Sequence, residues 1–367
     1  MNKITETTVE IDLEALTHNF HLIKSKLKPN TKVLGVVKAS AYGVDSMAIA
    51  RKLTELNIDY LAVAYVREGL ALRQAGITTP VMVLHPQEGS FELILKHKLE
   101  PVMYNKRIFN LFLAVVNEKN IKNYPIHLKF NTGLNRLGFT YEELSFLIEK
   151  LNTHTNVKVA SIFSHLTASE DHSNIDFTTK QFELFDKITA KLLPVLKEKP
   201  ILHILNTSGI FNFPQHQYDM VRTGIGLYGF ANDNKFTKSL KNVISLKTVI
   251  SQINEVRKGE SVGYNFGFIA NKDYKIATSP IGHADGISRS MGKGRIFVTI
   301  NNQKAAVIGN VCMDMIMIDV TDIDCKEGDE VIIFDNQEMV NQLAIAGNTI
   351  SYEILTSLSK RMKRLIK

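Results

Sequence analysis

The chain is predicted to be α/β, a (β/α)8 TIM barrel followed by a mostly β C-terminal domain. Two observations carry the barrel. From about residue 30 to 230 short β-branched runs alternate with amphipathic helical stretches, and eight such runs occur there. A third observation carries the second domain: after residue 235 the alternation gives way to strand-like segments separated by turn signals such as "KEGDE". The barrel is therefore assigned to 10–235 and the β domain to 236–367, with residues 1–9 expected to join the latter. A doubly wound open sheet would show a similar alternation, so strand count alone leaves that alternative open.

In order, the barrel strands are read at "KVLGVVK", "YLAVAY", "PVMVLH", "LEPVMY", "IHLKF", "VKVASIFSH", "ILHILN" and "DMVRTG". Apolar runs of this length suit strands buried on both faces. Between them "MAIARKLTELN", "REGLALRQAG", "KRIFNLFLAVVNEKN", "TYEELSFLIEKLNTH" and "TKQFELFDKITAKLLPVLK" repeat apolar residues at helical spacing. The β domain is read at "SLKTVISQINEV", "ESVGYNF", "YKIATSP", "GRIFVTI", "KAAVIGNVCMDMIMIDV" and "DEVIIF", closed by a last helical stretch running from Asn341 to Lys367. The opening "ETTVEIDL" is strand-like as well.

Composition bounds the function. With 367 residues, 44% hydrophobic and 22% charged, the chain is long enough for one large and one smaller domain. No apolar run approaches the length of a membrane span, and the N-terminus lacks the apolar core of a secretory signal. Two cysteines, Cys312 and Cys325, form neither a CxxC pattern nor a disulfide framework, and no metal-ligand spacing is read. A reducing, cytoplasmic setting is expected. The net charge of +7 is dispersed along helical stretches. Its one dense run, "SKRMKRLIK", reads as a solvated terminal helix rather than a nucleic-acid tail.

In a barrel, reactive groups gather where strands end, and Lys38, His85, Lys129, His165, Thr207 and Arg222 all stand there. A lysine closing a buried strand in a cation-rich mouth has a depressed pKa and more free amine. Such lysines form Schiff bases with carbonyl compounds, pyridoxal phosphate above all. Taken singly, Lys38 could equally be a snorkelling lysine of the barrel mouth. The segments "LNTSG" and "RTGIGLYG" follow the last two strands, where phosphate sites of this fold lie, and Gly224 and Ile225 are candidates for the grip. "GIGLYG" matches GxGxxG, but no further βαβ unit follows it.

Arg222 narrows the chemistry. Facing a pyridine nitrogen, a guanidinium can only donate, so the ring stays unprotonated and is a weaker electron sink. That favours brief removal and return of an α-proton, as in racemisation, over transamination. Racemisation needs a base on each face of the α-carbon. Lys38 can serve one. Tyr264, on a Gly-flanked turn of "SVGYNFGF", is the candidate for the other, although a tyrosine there can equally be packing.

These segments together resemble the bacterial alanine racemases of the pyridoxal-phosphate, barrel-plus-β-domain type. "VVKASAYG" is similar to their cofactor-lysine motif, with Ser40 in the usual asparagine place, and "KFNTGLNRLGF" to K-x-D-T-G-M-x-R-L-G-F. "FSHLTASED", "HILNTSG", "MVRTGIGLYG", "HADGISR", "GNVCMDMIMIDV" and "TISYEIL" match further segments in the family's order. The resemblance implies an isomerase that interconverts L- and D-alanine by a two-base mechanism on pyridoxal 5'-phosphate, supplying D-alanine for peptidoglycan. It implies roles as well. Lys38 holds the aldehyde and acts as one base, and Tyr264 is the other. Tyr42, Thr207, Gly224, Ile225 and Tyr352 hold the phosphate, with Asn206 adjacent. Arg222 faces the ring nitrogen, His165 lies against the ring, and His203 supports Arg222. Arg136 pairs with the cofactor's phenolic oxygen and the substrate carboxylate. Met313, within the "CMD" of Cys312 and Asp314, offers its backbone N–H to that carboxylate. Lys129 matches a lysine that is carbamylated in some members. Tyr264 and Met313 would act on the partner subunit's cofactor, which implies a homodimer with shared sites, small-molecule substrate only, and neither nucleic acid nor membrane as partner.

Three positions depart from the family pattern. His283 stands where most members carry a tyrosine at the inner entrance, Asn310 replaces a common arginine, and Glu170 takes an aspartate's place. All three are expected to affect access, and with it substrate breadth. The same fold acting on serine, lysine or a broader set is the alternative function. A barrel that binds the cofactor without turnover would not explain the β domain.

Overall fold

The structure, a computed structural model, describes residues 4–171, 173, 175–231 and 234–367. Strand β1 (Thr8–Ile11) comes first, followed by the eight parallel barrel strands. These are β2 (Lys32–Val36), β3 (Tyr60–Val63), β4 (Val81–Val83), β5 (Glu100–Met103), β6 (Tyr124–Lys129), β7 (Val157–Phe163), β8 (Ile201–His203) and β9 (Met220–Thr223). The sheet runs from β8 through β7 to β2 and on to β9. It closes where the Asp219 and Arg222 N–H groups donate to the Leu202 and Leu205 carbonyls, each at 3.0 Å. The doubly wound alternative is thereby set aside. Each strand run expected from the sequence is a strand here, because a parallel strand covered by helices is apolar on both faces and needs no alternation.

The helix Lys106–Glu118 shows how the outer ring forms. Asn105 caps it, its side-chain oxygen accepting from Ile108 N at 2.9 Å, and Ile108, Phe109, Phe112, Leu113 and Val116 turn one buried face to the barrel. Burying each of these side chains contributes about 1.5–3 kcal/mol.

The second sheet begins with β10 (Ile244–Val249) and β11 (Gln252–Val256). A two-residue pair, β12 (Ser261–Val262) and β13 (Phe268–Ile269), frames the Tyr264 turn. It continues with β14 (Tyr274–Ser279), β15 (Phe297–Ile300), β16 (Gln303–Ile308), β17 (Ile316–Asp319), β18 (Glu330–Phe334) and β19 (Lys363–Ile366). Among the described residues its order is β11-β14-β17-β16-β15-β18-β10-β1-β19. β1 thus lies in this sheet, antiparallel to β10 and parallel to β19, with Thr8 opposite both Lys247 and Lys363.

The C-terminus corrects the sequence reading. Helices end at Ala346 and Thr356, and the basic run Lys363–Ile366 is a strand. β1 would otherwise offer an unpaired edge, and pairing with β19 satisfies its backbone groups; the Lys367 N–H also donates to Ile11 O at 2.8 Å. Helical propensity yields to that edge. Among the described residues no helix is long and apolar enough to cross a membrane.

Candidate active site

The carboxyl ends of the barrel strands open on a cavity of about 660 Å³. Lys38, Tyr42, Lys129, Arg136, His165, Asn206, Thr207, Arg222, Gly224, Ile225 and Tyr352 all line it. Tyr352 arrives from the short helix Ser351–Thr356, which the β domain lays across the barrel mouth. An adjoining cavity shares Arg136, His165, Asn206 and Tyr352, and Glu170 lines it.

Lys38 is presented by an uncommon backbone. Ala39, Ser40, Ala41 and Tyr42 carry φ of 53°, 56°, 53° and 58°, four consecutive non-glycine residues in the left-handed region. Each costs about 1–2 kcal/mol, so the surroundings must hold the turn. Gly43 continues it at φ 82°, and a Cβ there would sit 1.9 Å from the Leu355 carbonyl. The Glu68 carboxylate does the rest. It accepts from Ala39 N at 2.6 Å, Ala64 N at 2.7 Å and Tyr65 N at 3.0 Å, tying the turn to the end of β3. Sequence reasoning missed Glu68, which reads as an ordinary acid in a helix's first turn. Glu68→Ala is expected to cost about 1–2 kcal/mol, given that the Ala39 N–H stays partly exposed, and thermal unfolding measures this.

Four cations share the mouth: Lys38, Lys129, Arg136 and Arg222. Burial and then Arg136 lower the Lys38 pKa, while Glu68 opposes the shift. Burial, Arg136, Arg222 and Lys38 bring the Lys129 pKa down to about 8. Burial and Arg222 hold His165 far below the usual histidine range, so it is neutral. Burial lowers Arg222 to about 9, which leaves it a cation at neutral pH. Such a mouth attracts anions.

Arg222 is buried and held from four sides. Nη1 donates to His203 Nδ1 at 2.7 Å, and Nη2 lies 2.7 Å from Ser164 O, 3.0 Å from Ile204 O and 3.1 Å from His165 Nδ1. His203 is fully buried beneath it.

The other end of the cavity has the chemistry of an anion cradle. The Gly224 and Gly226 N–H groups each lie 3.4 Å from Thr207 Oγ1, and Thr207 Oγ1 is 3.2 Å from Thr223 Oγ1. A Cβ on Gly224 would stand 2.2 Å from Tyr42 Oη, so only glycine lets the phenol come this close to the backbone. Asn206 caps the following helix through Gly209 N at 2.9 Å and accepts from Ser169 Oγ at 2.8 Å. Its oxygen therefore shapes the loop.

Tyr264, Met313, Cys312, Asp314 and His283 do not line the Lys38 cavity of their own chain. Tyr264 and Met313 are 66% and 59% exposed, on a β-domain surface that also exposes Phe266, Ile269 and Met315. Two turns are tied together there. The His283 and Ala284 N–H groups donate to the Cys312 and Met313 carbonyls at 2.9 and 3.0 Å. Arg361 forks to both Asp285 oxygens at 2.7 and 2.8 Å and reaches Asp314 at 2.7 Å. Asn310 does more than the sequence suggested. Its amide donates to the Tyr264 carbonyl at 2.8 Å, anchoring the turn that carries the phenol.

With this geometry in hand, comparison with known proteins places the chain. Residues 11–232 match the family model "Alanine racemase, N-terminal domain", and residues 243–366 match "Alanine racemase, C-terminal domain". The chain belongs to the alanine racemase family. An alanine racemase of Helicobacter acinonychis (strain Sheeba) is 35% identical over 374 residues, covering 97% of this chain and 98% of that protein. The solved alanine racemase of Clostridium difficile 630 superposes with a TM-score of 0.93 at 32% identity, covering 100% of this chain and 97% of that one. An alanine racemase from Bartonella henselae, solved with covalently bound pyridoxal phosphate, aligns at a TM-score of 0.88 and 28% identity over 99% of this chain and 100% of its own.

Proposed function

We propose that the chain interconverts L- and D-alanine with pyridoxal 5'-phosphate, supplying D-alanine for peptidoglycan, in a homodimer whose active sites combine the barrel of one copy with the β domain of the other. The observation that carries this is the joint placement of Lys38, Arg222 and the Tyr42–Thr207–Gly224 cradle around one cavity. Those donors fit the cofactor. The cradle offers hydroxyls and backbone N–H groups to a phosphate, Arg222 a donor to a ring nitrogen, and Lys38 an amine to an aldehyde. When bound, the cofactor supplies an electron sink for the substrate's α-carbon. Lys38 takes or returns a proton on one face of that carbon. Tyr264 of a second copy serves the other, and Met313 N–H and Arg136 hold the carboxylate. We keep the domain division at 235/236, between the end of β9 and the start of β10.

The test is titration of the protein with pyridoxal phosphate, followed by assays on L-alanine, L-serine and L-lysine. Visible absorption from bound cofactor and a clear preference for alanine support the reading. Absence of cofactor binding, or faster turnover of lysine, overturns it.

Lys129 completes the site as a carbamate that orients Arg136. Carbamylation needs a neutral amine, and a pKa near 8 provides a useful fraction at slightly alkaline pH. The linkage has a definite sign. The folded pKa lies below the usual lysine value of 10.5, so the unfolded chain holds the extra proton between the two, and stability rises with pH through that window. Modification to an anion removes the same unfavourable charge. Bicarbonate at pH 8 is expected to raise the Tm of the wild-type protein and leave that of Lys129→Ala unchanged. Labelled bicarbonate should give a carbamate 13C signal in the first only.

A further inference from the structure

The interior of a barrel of this type is ordinarily filled by branched apolar side chains. Here five successive strands, β5 to β9, each contribute one polar residue to a continuous chain. Glu100 Oε2 lies 3.0 Å from His127 Nε2, His127 Nδ1 lies 2.7 Å from Ser161 Oγ, and Ser161 Oγ lies 2.9 Å from His203 Nε2. His203 Nδ1 then accepts from Arg222 Nη1 at 2.7 Å. Glu100 is the first residue of β5 and Arg222 the third of β9, so the chain climbs from the amino end of the barrel to its catalytic mouth. His127, Ser161 and His203 are each 0% exposed.

The proton positions follow from counting donors. Arg222 has only N–H groups to give, so His203 Nδ1 must be an acceptor and its Nε2 carries the hydrogen. That hydrogen goes to Ser161 Oγ. At the far end a carboxylate can only accept, so His127 Nε2 donates to Glu100 and its Nδ1 is left to accept. The Ser161 hydroxyl has one proton, and His127 Nδ1 is where it goes. Both ends dictate the same direction independently, and every group is satisfied. Tyr60 stands edge-on to His127 with ring centroids 6.0 Å apart and also hydrogen-bonds Glu100, which fixes the lower end.

We propose that Glu100, His127, Ser161 and His203 form a directional relay that locks His203 as an acceptor, and so holds the Arg222 guanidinium aimed into the cavity. All four are positioning residues that act through Arg222. The inference rests on the reading above that Arg222 meets the cofactor ring. Burial and the neighbouring Arg222 and His127 hold His203 far below the usual histidine range, in keeping with a neutral acceptor. Without the Ser161 hydroxyl, the His203 Nε2–H is buried with no acceptor, and the ring shifts to find one, loosening its hold on Arg222 Nη1. Loss of the Glu100 charge acts at one remove, through His127 and Ser161.

Two readouts on the full-length protein test this. In side-chain 1H–15N spectra of histidine-labelled protein, His127 and His203 should both carry the proton on Nε2. Ser161→Ala should lower kcat roughly tenfold (about 1.4 kcal/mol), with the KM for alanine changed far less. Glu100→Gln, which keeps the shape and removes the charge, should act in the same sense, more weakly. A proton on Nδ1 of either histidine, or an unchanged kcat in a folded Ser161→Ala protein, overturns the relay. The histidine spectrum needs no cofactor, so it decides the relay even if the cofactor reading fails, and wild-type cofactor binding decides that reading separately.

Discussion

Tyr264→Phe is expected to lower racemisation by roughly 10²–10⁴-fold, the range for loss of a positioned acid–base group, while cofactor binding is retained. The loss should be one-sided. Proton exchange at the α-carbon from the face served by Lys38 should persist, so one enantiomer still exchanges its α-deuterium with solvent while conversion to the other stalls. The geometry makes a second demand. Tyr264 lies outside the Lys38 cavity of its own chain, in an exposed turn anchored by Asn310. On the function proposed above, a second copy supplies the phenol. Mixing inactive Tyr264→Phe with inactive Lys38→Ala should restore activity, since a mixed dimer of shared sites has one intact site and one doubly altered site. Random exchange of subunits should bring the mixture to about a quarter of the wild-type rate. A mixture as inactive as its parents, with exchange shown by mass spectrometry, would place both groups in one chain.

Much of this was legible in the sequence for a physical reason. A parallel strand under helices is a short apolar run, and its end is where a polar residue first becomes tolerable, so Lys38, Lys129, His165 and Arg222 announce themselves by position. What was hidden depends on partners distant in sequence. Glu68 holds an N–H 29 residues away, and nothing in "REGLAL" signals that. The left-handed turn at Ala39–Tyr42 contains no glycine until Gly43, so residue preferences argue against it. Glu100, His127 and Ser161 look like stray polar residues in strands until the pairing of β5, β6 and β7 brings them into line. The place of Asn310 in the family pattern suggests an access residue, yet its amide is spent on the Tyr264 backbone. The terminal basic run misled because the unpaired edge of β1 outweighs helical propensity.

Lys38→Ala should remove racemisation altogether within ordinary detection, by roughly 10³–10⁴-fold or more, with the fold intact. The turn that presents Lys38 is held through backbone N–H groups and Gly43, none of which involves the lysine side chain. Truncation therefore vacates an amine without dismantling its support. The cavity, about 660 Å³ with Lys38 in place, has room for a small amine in the vacated position. Methylamine should restore part of the rate, in proportion to its free-base concentration. The pH profiles should then separate with a definite sign. Burial and Arg136 lower the Lys38 pKa below the usual lysine range, so the wild-type enzyme gains its free amine at lower pH. An added amine carries no such perturbation in solution, so the rescued rate should keep climbing at alkaline pH where the wild-type rate has levelled. Coincident profiles would mean that the lysine is not the group whose deprotonation limits the reaction, and Lys38 would then hold the cofactor without serving as its base.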